Sequence, residues 1–232
     1  MSSNDWLALW LTAKLATVST LALMAIGIPL AWWLARSQFR GKAIIEALVA
    51  LPIVLPPTVI GFYLLIAFAP DTAMAKAWQA AFGRPLAFSF DGLVLGSIIY
   101  SLPFVVQPLQ SRFEGISRAT LLSAASLGAG PMDRFFNIVL PLSKRALLAA
   151  AALGFCHTVG EFGIVLMIGG SIPGQTQVLS IALFDHVESM NFRSAHILAM
   201  LLLLFSFISL LILYAKGAKT ARVVQRGEPF DE

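Results

Sequence analysis

The chain has 232 residues and a formal net charge of +4; 58% of its residues are apolar and only 12% carry charge. Soluble domains carry about a quarter charged residues, so half that share, with a mean hydropathy of +0.83, excludes an ordinary soluble fold and points to a bilayer as the main solvent. A single cysteine, Cys156, excludes an internal disulfide.

A spanning helix takes about 20 mostly apolar residues. In chain order, the runs long enough are 15–35, 47–70, 92–111, 146–169 (interrupted by Glu161) and 194–215. They predict an all-α integral membrane protein with five transmembrane helices in one domain, 1–232. The first run does not read as a removable signal peptide: its flank, Ser2-Ser3-Asn4-Asp5, is not basic, and no small-residue cleavage site follows it. In the second run, Pro52, Pro56 and Pro57 are expected to keep the start of the span from being regular helix. Irregular backbone at that depth is tolerated where it lines a cavity or is buried in protein, which makes the three prolines candidates for a pathway wall. Gly92 and Gly96 open the third run four apart, a spacing that serves a dimer face or close packing within one bundle. Segments 71–91 and 171–193 read as loops and hold Trp78, Phe82, Phe88, Phe90, Phe184 and Phe192. Such aromatics anchor at the membrane interface or remain free to meet a partner.

Lys and Arg mark the cytoplasmic loops. Segments 36–46, 112–145 and 216–226 hold three, five and four of them, against two in 71–91 and one in 170–193, with Lys14 at the edge of the first span. The expected orientation is N-terminus outside and C-terminus cytoplasmic.

The segment 112–145 then faces the cytoplasm. Residues 117–128 (SRATLLSAASLG) read as a short helix with Ser117 as N-cap. Ala124 and Gly128 are expected on one face of it, small enough to enter a groove closely. Gly128-Ala129-Gly130-Pro131 ends that helix, and a second turn over about 132–140 presents Phe135, Phe136, Ile138 and Val139 before Pro141. Docking in a partner's groove and lying flat on the membrane surface both fit this pattern.

The loop resembles the cytoplasmic motif of ABC importer permeases, written Glu-Ala-Ala, three residues, Gly, nine residues, Ile, any residue, Leu, Pro. Ala124, Gly128, Ile138, Leu140 and Pro141 match it in identity and spacing, whereas Leu122 and Ser123 stand where the pattern has Glu and the first Ala. In that family the loop is the coupling helix received by a cleft of the cytoplasmic ATPase. The stretch HTVGEFGIVLMIGGSIPGQTQ (157–177) and the proline-rich LPIVLPPTVIGFYLL (51–65) resemble the molybdate permeases of the oxyanion group. The resemblance covers about 35–215. It implies a permease that pairs with a second copy of itself, with two ATPase subunits and with an extracytoplasmic molybdate-binding protein, in the inner membrane of a bacterium or archaeon. No cofactor in this chain and no nucleic acid is implied.

A carboxylate in mid-bilayer costs about 2.5–3.5 kcal/mol on insertion scales and usually faces a bundle interior or a water-filled path. Glu161, flanked by Gly160 and Gly163, therefore joins the pathway or gate candidates. It is a poor ligand for an anion, so the expectation is a bend held by a basic residue (Lys14 is one conceivable partner) or by backbone donors. A gate role is the alternative. His157, four residues earlier, is placed to share a face and a hydrogen bond with Glu161. With Cys156 adjacent in sequence and no third ligand, the pair is not read as a metal site, and His186 and His196 read as interfacial polar residues. Gly41-Lys42 is followed by Ala43, so no P-loop is present, and neither H-E-x-x-H nor G-x-S-x-G occurs. No catalytic residue is expected. Tungstate is the other substrate the resemblance allows, and the remaining readings are a sulfate or thiosulfate permease of the same superfamily and a proton-coupled secondary transporter, which five spans divide badly into halves.

Overall fold

A computed structural model describes the backbone of residues 2–224 and the side chains of residues 2–211. The basic run 216–226 and the end of the last predicted span lie outside the residues whose side chains are described. Among the described residues the chain is all helix, with no strand.

Helix α1 (Ser3–Arg36) starts well before the first predicted run. Ser2 and Asp5 form a capping box: the Ser2 hydroxyl accepts from the Asp5 amide at 3.2 Å, and the Asp5 carboxylate accepts from the Ser2 amide. At the other end, Arg36 donates to the carbonyls of Phe113 and Ile116, both at 3.0 Å, and lies over the Trp32 ring. Helices α2 (Lys42–Val54) and α3 (Pro57–Ala67) replace the single second span, bent by 112°. Pro52 is not part of that break; it sits buried inside α2. The bend falls at Leu55–Pro56, where two consecutive prolines remove two amide donors and Pro57 suits the first position of the next helix.

Helix α4 (Ala73–Phe82) occupies a segment read as loop. Its ends were nevertheless written in the sequence: the Thr72 hydroxyl accepts from the Ala75 amide at 3.1 Å, and Gly83 closes it at φ 70°. Helix α5 (Phe90–Glu114) packs against α1 and α9 (Lys144–Gly160), which also pack against each other, and forms the centre of the bundle. Val105 of α5 is fully buried, and Gly27 of α1 and Gly154 of α9 approach it from two sides. A Cβ at either glycine would come within 2.8 or 2.9 Å of a Val105 methyl group, closer than packed carbons stand. Gly96 likewise admits Ile164 and Ile168 of α10 (Gly163–Gly169), and Gly92 admits the Leu86 carbonyl. The Gly92–Gly96 pair thus serves packing within one bundle.

After α5 come α6 (Arg118–Ser126), α7 (Pro131–Arg134), a π-helical turn over Phe135–Val139, and α8 (Leu140–Leu142). The segment Pro131–Leu142 meets α9 at 74°. The predicted fourth span, 146–169, is not continuous. It ends as α9 at Gly160 and resumes as α10 at Gly163. Helix α11 (Leu179–Glu188) is the second helix in a segment read as loop, and α12 (Phe192–Val224) ends the described chain. Apolar side chains of α12 such as Leu203, Phe207 and Leu211 face outward, as a lipid-facing helix requires. Among the described residues three helices are long and apolar enough to cross a membrane alone, and up to five spans result if each bent pair is one crossing.

Candidate functional site

The loop after α5 is built from local rules. Ser117 caps α6, its hydroxyl accepting from the Ala119 amide at 3.2 Å. The other end closes by a reciprocal pair: Ala129 N–H donates to the Ala124 carbonyl and Gly128 N–H to the Ala125 carbonyl, both at 3.0 Å. This is a Schellman closure, which needs a left-handed residue at its second-last position, and Gly128 supplies it at φ 90°. Gly128 therefore does not share a helical face with Ala124 as expected; it is the turn itself. Pro141 lacks the amide that would bond back to Asn137, and the chain answers with the π turn, in which Leu140 N–H reaches Phe135 O.

This geometry sorts the apolar residues of the loop. Val139 is buried, Phe135 packs on Trp32 with ring centres 5.5 Å apart, and Ile138 and Leu140 are half-buried. Phe136, Leu122, Leu127 and Met132 are exposed, Leu127 at 89%. Ser123 and Pro141 are exposed beside them, while Ala124 is half-buried. Arg134 ties the second arm to the first by donating to the Leu121 carbonyl at 3.3 Å. Leu127 and Met132 were not singled out in the sequence. Their signal was an apolar side chain at each edge of a Gly-Ala-Gly turn, and no described residue covers them.

The second arrangement is a cleft of about 560 Å³ between α3, α5, α9 and α10, lined by Pro57, Thr58, Tyr100, Cys156, His157 and residues 160–163. Of the predicted pathway residues, Pro57, Gly160, Glu161 and Gly163 meet here, whereas Pro52 and Pro56 are not among the lining. Gly163 explains its own presence: a Cβ there would lie 2.7 Å from Pro57 Cβ. Gly160 faces open space by the same test.

Glu161 is 5% exposed and sits in the break between α9 and α10. Its Oε1 accepts from the Ile164 amide at 3.1 Å, capping α10, and its carbonyl accepts from the Ser180 hydroxyl of α11. Oε2 has no partner among the described residues. The holding donors are thus backbone and hydroxyl groups. Lys14 is not the partner; its ammonium lies 4.4 Å from the centre of the Phe90 ring. Nor does His157 bond to Glu161, because α9 ends between them. Its Nδ1 is 2.9 Å from Ser101 Oγ instead, and its ring stacks on Phe104 with centres 3.9 Å apart. His186 is more than an interfacial group, since its Nε2 lies 2.8 Å from the buried Asp5 carboxylate. His196 is exposed. No group of three metal-ligating side chains occurs among the described residues.

Tyr100 is the eleventh residue of the 25-residue α5, so the cleft lies near mid-helix. Polar side chains and two helix breaks at that depth cannot face acyl chains without large cost. The cleft must open to water or to another protein surface.

Residues 27–220, which include both the loop and the cleft, match the model of the binding-protein-dependent transport system inner membrane component family. The chain belongs to that family. It is 51% identical to the molybdenum transport system permease protein ModB of Azotobacter vinelandii over 215 residues, covering 93% of this chain and 95% of that one. It is 34% identical to a probable sulfate transport system permease protein of Zygnema circumcarinatum over 208 residues, covering 88% of this chain and 69% of that one. In fold it is similar to a chain of the bacterial alginate ABC transporter in complex with an alginate pentasaccharide-bound periplasmic protein. That match has a TM-score of 0.74 at 15% identity and covers 92% of this chain and 78% of that one. Membership makes this chain a membrane component of a transport system, and the break at Glu161 and the exposed loop are both parts of a permease.

Proposed function

We propose that the chain is the permease subunit of an ATP-driven importer of molybdate. The observation that carries this reading is the 51% identity, over nearly the whole of both chains, to the molybdenum permease of Azotobacter vinelandii. The loop supports the coupling role. Leu122, Leu127, Met132 and Phe136 offer an apolar edge on the loop's two arms that the described residues leave uncovered, a form suited to a groove in a cytoplasmic ATPase. The excess of Lys and Arg in alternate loops supports an N-terminus outside and a C-terminus in the cytoplasm. Two copies of the chain close the pathway between their clefts, two ATPase subunits receive the two loops, and an extracytoplasmic protein delivers the anion.

Motion passes from loop to cleft along α9. Its 17 residues span about 25 Å, with the bent Pro131–Leu142 arm at one end and the Glu161 break at the other. The test is ATP-dependent uptake of labelled molybdate into proteoliposomes holding this chain, its ATPase and its binding protein. Uptake blocked by tungstate and not by sulfate supports the reading. Block by sulfate moves the substrate to the second reading, a sulfate permease, which the 34% identity to the Zygnema protein favours. Uptake driven by a proton gradient without ATP overturns both.

A further inference from the structure

We propose that Phe104 is the constriction that separates the cleft from a second cavity on its cytoplasmic side, and that the His157 ring of α9 holds it closed; this rests on the transport reading above. The second cavity, of about 450 Å³, lies between α2 and α5, and its polar lining is Glu46, Gln107, Gln110, Ser111 and Glu114. Lys42 stands 3.4 Å from each of the two carboxylates, and the Gln110 amide donates to both, at 2.5 and 3.0 Å. Two carboxylates against one ammonium leave this group net negative, so the cavity releases an anion rather than retaining it. Gln107 takes no part in the network and is exposed, about 10 Å before the end of α5. An amide at that depth does not face acyl chains. This cavity, like the cleft, opens to water or to protein.

Both cavities lie along one face of one helix. Tyr100 of the cleft, then Phe104, then Gln107, Ser111 and Glu114 of the second cavity follow at steps of four, three, four and three residues, the spacing of a single helical stripe. From Tyr100 to Gln107 is two turns, about 10 Å. Between them stands Phe104, half-buried and lining neither cavity. The stripe is polar on both sides of this ring, and an apolar constriction between two wet spaces bars ions by excluding water. Two features make the ring movable. It stacks on His157 with centres 3.9 Å apart, so it leans on α9, the helix that joins the cleft to the loop. Prolines also flank it inside α5: Pro108 has no amide to return to the Phe104 carbonyl, and Pro103 has none for Ile99. Both missing bonds soften the turn that carries the ring. A shift of α9 that withdraws His157 frees Phe104 on that turn and joins the two cavities.

The test uses the complete complex in proteoliposomes, with Phe104→Ala, Phe104→Trp and His157→Leu, and reads two quantities without ATP. One is the leak of preloaded labelled molybdate. The other is the labelling rate of Cys156, the single cysteine of this chain, which lines the cleft beyond the ring. The reagent is a membrane-impermeant trimethylammonium-bearing thiosulfonate, added from one side at a time and read by mass spectrometry of this chain. Leak and cytoplasmic-side labelling should each rise about tenfold or more in Phe104→Ala and stay at or below the parent in Phe104→Trp. In His157→Leu the cytoplasmic-side rate should rise about threefold, the scale of one aromatic pair. Labelling from the opposite side should stay within about twofold throughout, which a general loosening of the bundle would not allow. Should Phe104→Ala fail to assemble, Phe104→Val takes its place with the same expectation. Parent-like leak and labelling in the truncated variant overturn the proposal, as does a parent whose Cys156 reacts equally fast from both sides. If the parent complex imports no oxyanion, the transport reading falls, and the sided labelling of Cys156 alone decides whether Phe104 divides the two cavities.

Discussion

Gly128 and Gly130 stand two residues apart on the same exposed turn, and neither has any atom within 4 Å of the position a Cβ would take. Their backbones differ. Gly128 sits at φ 90°, while Gly130 is extended at φ −69° and ψ 168°, at the N-cap of α7. A serine at position 128 must adopt a left-handed conformation, which costs an L-residue about 1–2 kcal/mol. The same serine at 130 meets no strain and can cap α7. With no side chain to clash, the whole cost at 128 falls on the two closing bonds, Ala129 N to Ala124 O and Gly128 N to Ala125 O. The population of the closed turn, relative to open forms, should fall about 5- to 30-fold. Apparent affinity for the ATPase, measured by titrating it into proteoliposomes and reading uptake, should weaken by up to the same factor in Gly128→Ser. It should be unchanged in Gly130→Ser. Gly128→Asn should fall between them, because asparagine tolerates the left-handed region. Equal behaviour of the two serine variants would refute the argument, since exposure and residue type are matched and only φ differs.

Gly163→Ala would drive a methyl group to 2.7 Å from Pro57 Cβ and force α10 away from α3, whereas Gly160→Ala meets open space. Uptake should fall at least tenfold in the first and stay within twofold in the second, with both proteins inserted. Thr12→Ala removes the acceptor for the buried Leu179 amide at 2.7 Å, and an unpaired buried donor costs about 1–3 kcal/mol. The melting temperature in detergent should drop and Thr12→Ser should restore it; no drop would mean that α11 finds another anchor. Glu161→Ala removes the cap on the Ile164 amide and should destabilise by about 1 kcal/mol. Glu161→Gln keeps an oxygen acceptor there and should insert and melt like the parent, and a Gln variant as unstable as the Ala variant would show that charge matters more than the cap.

That the chain is all helix with several apolar crossings, and that the loop departs from them, was legible because both depend on composition: lipid demands long apolar runs, and the loop breaks them. The ends of α6 were legible too, since Ser117 and Gly128 are ordinary start and stop residues. Other features were hidden by the same apolar excess. In the charge-free run 47–70 the three prolines were read alike, yet Pro52 is absorbed inside α2 and Pro56-Pro57 turns the chain by 112°. A lone proline near a helix end loses one backbone bond, whereas two in a row lose two adjacent ones. Helices α4 and α11 were missed because a helix of ten residues falls below the length that a hydropathy reading detects. The helical spacing of His157 and Glu161 misled for a related reason. The i, i+4 rule holds only while the helix continues, and α9 stops at Gly160, so the histidine turns to Ser101 across 56 positions of sequence.

The break at Glu161 also explains why so much close packing is concentrated around one short helix. Helix α10 has only seven residues, and a helix that short is not stable alone. It persists because Glu161 caps it and because Gly61, Gly96 and Gly163 let α3 and α5 come against it; a Cβ at Gly61 would lie 2.8 Å from Met167 Cβ, as one at Gly163 would crowd Pro57. On the far side of the break, α11 grips the Glu161 carbonyl through Ser180 and is itself pinned to α1 through Thr12. Helices α10 and α11 are fixed to the bundle in this way, and α9, itself packed against α1 and α5, runs from the break to the exposed loop. A force applied at the loop meets a rigid rod whose far end is joined to fixed structure by two non-helical residues. Such a joint concentrates displacement into a few backbone angles, here at Glu161 and Phe162, on the wall of the cleft that α9 reaches at Gly160.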